Sequence, residues 1–341
     1  MPTNVTAEYK KAEQAFRDAK EPPERLRCLK EMLRTIPKHK GTEHLQRDIK
    51  TRIKSLNDEL SGPRKGGART GPSYSVRPEG AVQIALLGPP NSGKSLLHHK
   101  LTGARSEVGS YPFTTQLPLP GMMPYEDIHI QLVDIPPVSQ DYFEPWIVNT
   151  LQTPDAAFIV IDITCPDCID DVQHVVDQLA SRKIILTHRF SDSKNEPVET
   201  DNDELDPFQI KMPTFLVANK LDLAKGPEEL DALNELLHYE FPSIAVSALS
   251  GENLDALSQI VFEKMNIVRV YTKIPGKPAD TDKPFTLLAG GTVFDVAVQI
   301  HKDIAGTFQF ARIWGRHVFD GQQVGQDHVL HDLDIVELHV R

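Results

Sequence analysis

Apolar residues recur along this chain in two rhythms, and the change of rhythm divides it. Over residues 5–60 they fall three or four apart: Tyr9, Ala12, Phe16 and Ala19, then Leu26, Leu29 and Leu33, then Leu45, Ile49, Ile53, Leu56 and Leu60. Each set lies on one face of a helix. Pro22–Pro23 and Pro37 punctuate the run. The pattern predicts a helical hairpin over 1–61, with Lys50, Arg52 and Lys54 off the apolar stripe as a basic outer face. Residues 62–80 are rich in Gly, Pro and basic side chains and read as a linker with little to bury.

From Val82 onward the apolar residues come in short runs. Val82–Leu87, Ile128–Asp134, Ala156–Asp162, Lys183–Leu186, Thr214–Ala218 and Ile244–Val246 read as buried strands. Ser95–Leu101, Asp171–Ser181 and Asn253–Met265 read as helices between and after them. This alternation predicts an α/β doubly wound sheet over 81–265, with its ligand at the carboxyl ends of the strands. Two stretches read as loops. Val108–Gly121 is broken by Pro and Gly, and 191–207 carries seven acidic residues with one lysine. Beyond 266, strands at Ile267–Tyr271, Phe308–Trp314 and Ile335–Val340, with a helix capped by Thr292, suggest an α+β module of β-grasp size over 266–341.

Composition narrows this picture. Forty per cent hydrophobic residues support a real core, so global disorder is excluded. No N-terminal signal pattern and no apolar run of bilayer length are visible. Three cysteines make no disulfide framework. The expectation is a cytoplasmic protein with no membrane partner. Net charge is −11, yet residues 1–70 hold 17 Lys/Arg against 10 Asp/Glu, +7, which leaves −18 for the rest. The basic N-terminal segment can dock on RNA phosphates or be a solvated helical surface; no DNA partner is expected.

The chemistry lies in the loops after the strands. Gly88 to Ser95 reads G-x-x-x-x-G-K-S between a strand and a helix, the context of a phosphate-binding P-loop. Its glycines let successive backbone N–H groups face one anion, and the helix N-terminus adds positive charge. Lys94 can reach β- and γ-phosphates, and the Ser95 hydroxyl can ligate Mg²⁺. Asp134 ends its strand as the metal-side acid, with Thr114 and Thr115 placed where a switch loop closes. After Asp134 a nucleotide switch normally reads D-x-x-G; this chain reads Asp134-Ile135-Pro136-Pro137. Pro137 has no N–H to give a γ-phosphate, and Val138 cannot orient a water. Asn219-Lys220-Leu221-Asp222 follows another strand, and Asp222 can accept from guanine N1–H and its exocyclic amine, a donor pair adenine lacks. Ser247-Ala248 suits the loop whose backbone N–H meets guanine O6. Cys165-Pro166-Asp167-Cys168 supplies only two of four zinc ligands and reads as structural.

Taken together, these residues resemble the Obg family of GTPases and, within it, the developmentally regulated GTP-binding branch. Tyr111-Pro112-Phe113-Thr114-Thr115 is similar to the family's switch I, and the run from Gly291 resembles its C-terminal TGS domain, a β-grasp module. The resemblance implies a nucleotide site of Gly88, Asn91, Ser92, Gly93, Lys94, Ser95, Phe113, Thr114, Thr115, Asp134, Asn219, Lys220, Asp222, Ser247 and Ala248. It implies Mg²⁺ on Ser95 and Thr115, with Asp134 acting through water, and Lys94 and Thr115 in catalysis. Asn91 matches an asparagine that helps ligate K⁺ in potassium-activated relatives, or it stabilises its loop by hydrogen bonds. There are two departures. The branch's inserted small domain is absent between Leu186 and Phe215, and Asp134–Pro137 replaces D-x-P-G. The expected function is slow Mg²⁺-dependent GTP hydrolysis with a ribosome or RNA as partner, docked by the basic hairpin and the TGS module. The alternatives are a non-catalytic GTP/GDP-binding scaffold and an RNA-binding regulator.

Overall fold

The computed structural model describes residues 6–19, 22–37, 42–60, 76–104, 117–138, 143–190, 209–224, 226 and 228–340. The chain divides into two compact units, one built on the N-terminal helices and one holding both β-sheets.

The first unit, read from the sequence as a helical hairpin, contains three helices, one for each apolar set: α1 (Ala7–Asp18), α2 (Pro22–Thr35) and α3 (Glu43–Leu60). The prolines mark their boundaries. A proline fits the first turn of a helix, where its missing N–H has no partner to lose, so Pro22 starts a helix instead of merely ending one. Thr6 caps α1 by accepting from the Tyr9 N–H at 3.1 Å. The apolar stripes converge: Tyr9 and Phe16 of α1, Leu29 and Met32 of α2 and Ile49 of α3 are buried together. Arg47, Lys50 and Lys54 stay exposed on α3. The predicted linker residues 62–75 lie outside the described residues.

The second unit opens with β1 (Gln83–Leu87), α4 (Lys94–Thr102), β2 (Leu119–Tyr125), β3 (Ile128–Asp134), α5 (Ile147–Thr150), β4 (Ala156–Asp162) and α6 (Cys168–Ala180). It continues through β5 (Ile184–Thr187), β6 (Ile210–Asn219), α7 (Glu228–Leu236), β7 (Ser243–Ala245) and α8 (Leu254–Lys264). The strand order is β2-β3-β1-β4-β6-β5, with β7 also on β6. All pairs are parallel except β2 with β3. β1 and β4 are buried on both faces, as parallel strands covered by helices must be. One core layer gathers Val133, Ile159, Val172 and Leu216; the other gathers Ile84, Leu97, Phe158 and Val217.

β2 corrects the sequence reading, which ended the loop at Gly121. Pro120 and Pro124 are tolerated because β2 is an edge strand with one neighbour. Gly121 is required there, since a Cβ would come within 2.6 Å of the Thr102 hydroxyl on α4.

The second sheet comprises β8 (Ile267–Lys273), β9 (Ala279–Leu288), β10 (Phe308–Trp314), β11 (Gln322–Val324) and β12 (Asp334–Val340), in the order β11-β10-β12-β8-β9. Helices α9 (Val293–Ile300) and α10 (Lys302–Thr307) lie between β9 and β10 in the chain. Thr292 and Asp295 form a reciprocal capping box at the start of α9. β8 and β12 pair in parallel at the centre, the arrangement expected of a β-grasp module. No helix among the described residues is long and apolar enough to cross a membrane.

Candidate nucleotide site

The carboxyl ends of β1, β3, β4 and β6 bring the predicted motifs to one end of the first sheet. Two glycines of the loop after β1 are sterically obligatory. Gly88 has φ +142°, and a Cβ on it would sit 2.2 Å from the Val160 carbonyl oxygen of β4. Gly93 has φ +87°, and a Cβ there would sit 2.3 Å from the Asn219 amide nitrogen. Asn91 also adopts a left-handed conformation, φ +62°, which asparagine tolerates better than most side chains. No side chain caps α4 at Gly93, so its first-turn N–H groups face outward as an anion seat.

Lys94 is buried and folds back along the loop. Its ammonium donates to the carbonyls of Gly88 at 3.0 Å and Pro89 at 2.8 Å. Burial lowers its pKa to about 8, against an opposing pull from the Asp134 carboxylate. Ser92 donates its hydroxyl to the Pro89 carbonyl at 3.0 Å. The Ser95 hydroxyl donates to Asp134 Oδ2 at 2.6 Å, so the two residues read as metal-side groups stand together. Beyond Asp134 the chain is held inward: Ile135 and Val138 are buried in the core, and the Val138 N–H donates to the Gly88 carbonyl at 3.1 Å.

On the base side, Asn219 is a buried brace. Its amide donates to the Ser92 carbonyl at 2.9 Å and its oxygen accepts from the Ala248 N–H at 3.0 Å. The P-loop, the Asn219–Asp222 turn and the Ser247–Ala248 loop are thereby one assembly. Asp222 lies exposed in a single 3-10 turn, Leu221–Leu223, and accepts from the Ser247 hydroxyl. Ser247 in turn accepts from the Ser250 N–H at 3.0 Å. Lys220, with φ +65°, pairs with Asp162 at 2.6 Å. The sequence reading noted Asp162 only as the end of a strand. Its register with Asn219 across β4 and β6 is the signal that places it at the site, and this emerges only from the sheet pairing.

Tyr111, Phe113, Thr114 and Thr115 lie outside the described residues. The Asn91, Ser92, Gly93, Lys94, Ser95, Asp134, Asn219, Lys220, Asp222, Ser247 and Ala248 positions all fall within the β1, β3 and β6 loops and the Ser247–Ala248 loop just described. Cys165 and Cys168 are free thiols, and burial pushes the Cys168 pKa up. Among the described residues no group of three His, Cys, Asp or Glu side chains could hold a metal ion.

The donors fit the groups that the motifs call for. The obligatory glycines and an uncapped helix start suit a polyphosphate, and the hard oxygens of Ser95 and Asp134 suit Mg²⁺. Residues 83–220 match the family model of the 50S ribosome-binding GTPase, and residues 268–340 match the TGS domain. An uncharacterized GTP-binding protein of Methanocaldococcus jannaschii is 30% identical, with 93% of each chain covered. Developmentally-regulated G-protein 3 of Arabidopsis thaliana is 28% identical over 90% of this chain and 95% of its own. Ribosome-interacting GTPase 1 of Saccharomyces cerevisiae is 27% identical over 92% of this chain and 98% of its own.

Proposed function

The chain belongs to the family of developmentally regulated GTP-binding proteins, a GTPase domain followed by a TGS domain, and from that premise we propose that it is a slow, Mg²⁺-dependent GTPase acting on the ribosome in the cytoplasm. The observation that carries the guanine part is the Asn219 brace, which fixes the exposed Asp222 carboxylate relative to the phosphate loop. Hydrolysis is in-line attack of water on the γ-phosphorus, with the bond to the β–γ bridging oxygen breaking as the new P–O bond forms. Lys94 leaves the loop carbonyls and turns to the phosphate oxygens, where it stabilises developing negative charge. Ser95 and Thr115 would hold Mg²⁺, with Asp134 acting through water, and the ion when bound would neutralise charge on the β- and γ-phosphates. Asn91 offers an oxygen for K⁺. Val138, standing where a water-orienting side chain would be, cannot position the attacking water, so turnover is slow until a partner supplies that group.

The yeast relative's name and the exposed Arg47, Lys50 and Lys54 support ribosomal RNA as the docking surface. A second reading, a GTP/GDP-binding scaffold without turnover, draws support from Pro137 and from the Val138 amide committed to Gly88. Single-turnover hydrolysis in Mg²⁺ with K⁺ or Na⁺, beside Lys94→Ala, separates the two. Tight GTP binding with hydrolysis no faster than in that variant decides for the scaffold.

A further inference from the structure

Lys220 sits in a backbone conformation that lysine seldom adopts, with φ +65°. The turn is needed because the chain must leave the end of β6 and immediately present Asp222 from the short helix Leu221–Leu223. Something must hold it there, and one carboxylate is built for the task. Asp162 ends β4, in register with Asn219, and the Ile163 N–H donates to the Asn219 carbonyl at 3.0 Å. One Asp162 oxygen takes the Lys220 ammonium at 2.6 Å. The other accepts from the Thr164 N–H at 3.0 Å and the Thr164 hydroxyl at 2.7 Å. Both oxygens are therefore engaged, and the carboxylate is held rigidly.

We propose that Asp162 is a positioning residue for base recognition: by clamping Lys220 it sets the turn that aims Asp222 at the guanine edge. This rests on the guanine reading of Asp222 and extends it to a residue 60 positions earlier in the chain. Burial alone would raise the Asp162 pKa; the bonds from Lys220 and Thr164 outweigh it and hold the carboxyl below its ordinary value, so the clamp is charged at neutral pH. Asp162 need not touch the nucleotide. Its effect passes through one ion pair and one strained residue.

The test compares GDP with IDP, which lacks the exocyclic 2-amino group that Asp222 would accept from. Wild-type protein is expected to favour GDP by roughly tenfold or more, the scale of one hydrogen bond to a charged acceptor. In Asp162→Asn both affinities should fall, GDP by about tenfold more than IDP, because a mis-aimed Asp222 costs GDP two hydrogen bonds and IDP only the one from N1–H, so the preference collapses. A merely structural role would lower both affinities by the same factor and leave the preference intact. Thr164→Val, a milder change that spares the carboxylate, should reduce the preference by a smaller factor. Asp162→Asn in a Lys220→Met background should have no further effect on the preference. Wild-type protein that binds GDP and IDP alike overturns the guanine assignment and this proposal with it. Discrimination that survives both Asp162→Asn and Thr164→Val, or parallel loss of both nucleotides, overturns this proposal alone.

Discussion

Val138 donates its backbone N–H to the carbonyl oxygen of Gly88 at 3.1 Å, tying the residue after the Asp134–Pro137 stretch to the first glycine of the P-loop. Its side chain is buried beside Ile135, Ile147 and Leu151. Two consecutive positions therefore withhold a backbone donor from the phosphate side: Pro137 has none, and the next is spent within the protein. A segment pinned this way has little freedom to respond to the third phosphate.

The first prediction tests that pinning. Pro137→Gly restores an N–H at the position where related switches meet the γ-phosphate. One backbone hydrogen bond to a charged group contributes roughly 1.5–3 kcal/mol, so the ratio of GTP-analogue to GDP affinity should rise roughly tenfold or more. Equilibrium titration with both nucleotides measures it. A loop Pro→Gly change also costs roughly 0.4–1 kcal/mol of stability through the unfolded chain, visible as a lower melting temperature. An unchanged affinity ratio would mean that this segment does not sense the γ-phosphate.

The second prediction concerns pH. Burial lowers Lys94 to about 8 in the folded protein without nucleotide, well below an unfolded lysine. Between about pH 8 and the ordinary lysine pKa near 10.4, the unfolded chain then binds more protons, so this residue's contribution to stability rises with pH. Nucleotide binding should show the opposite trend. Phosphates need the charged ammonium, so above about pH 8 binding takes up a proton and affinity falls. Calorimetry in buffers of different ionisation enthalpy reads that uptake directly, and Lys94→Ala should abolish it. Tyr271, raised to about 12 chiefly by its hydrogen bond to Asp127, keeps its proton throughout this window and does not confuse the result.

What was legible in the sequence had a local cause. Gly88, Gly93 and Lys94 lie within seven residues, and their spacing follows from wrapping a backbone around a phosphate. The strand ends at Asp134 and Asn219 were legible because apolar runs stop abruptly there. β2 was hidden because Pro120, Gly121 and Pro124 mimic a loop, and only its edge position makes them acceptable. β9 was hidden for a related reason: Ala279 to Pro284 is almost wholly polar, and the strand also lies at an edge. The Asp162–Lys220 and Asn219–Ser92 partnerships join residues far apart in the chain, and no periodicity reports them.

A third prediction addresses the junction of the two sheets. Arg269 on β8 is buried and bonds Asp332 at 2.8 Å, Asp127 at 3.1 Å and Glu126. Its guanidinium also lies 5.0 Å from the centre of the Phe262 ring. Tyr271 donates to the same Asp127. Arg269→Ala removes the cation that joins these carboxylates, which are themselves partly exposed, so the loss is that of charge-assisted hydrogen bonds and stacking, roughly 1.5–3 kcal/mol. Chemical denaturation should show that loss, and Arg269→Lys should recover little of it, because one ammonium cannot reproduce the planar fork. Tyr271→Phe should cost only about 1 kcal/mol. If Arg269→Ala unfolds at the wild-type denaturant concentration, the carboxylates are solvated and the junction is not structural.

The last prediction separates two residues of one motif by the kind of loss each causes. Asn219 is buried and satisfies both Ser92 and Ala248, so Asn219→Ala strands a carbonyl and an N–H inside the protein. Each unsatisfied group costs roughly 1–3 kcal/mol, and the P-loop and base loop lose their common brace. Stability should fall, and GDP and IDP affinities should fall together. Asp222 is exposed and, among the described residues, accepts only from the Ser247 hydroxyl, so Asp222→Asn should leave the melting temperature nearly unchanged. Its amide oxygen can still accept from N1–H, but its NH2 group meets the guanine 2-amino group donor to donor, whereas it can donate to the 2-oxo group of xanthine. GDP affinity should therefore drop at least tenfold while XDP affinity rises, a reversal that discriminates by the hydrogen bond the site is built to make. Equal loss of GDP and XDP in Asp222→Asn would show that this carboxylate does not read the base, and the guanine assignment would fall with it.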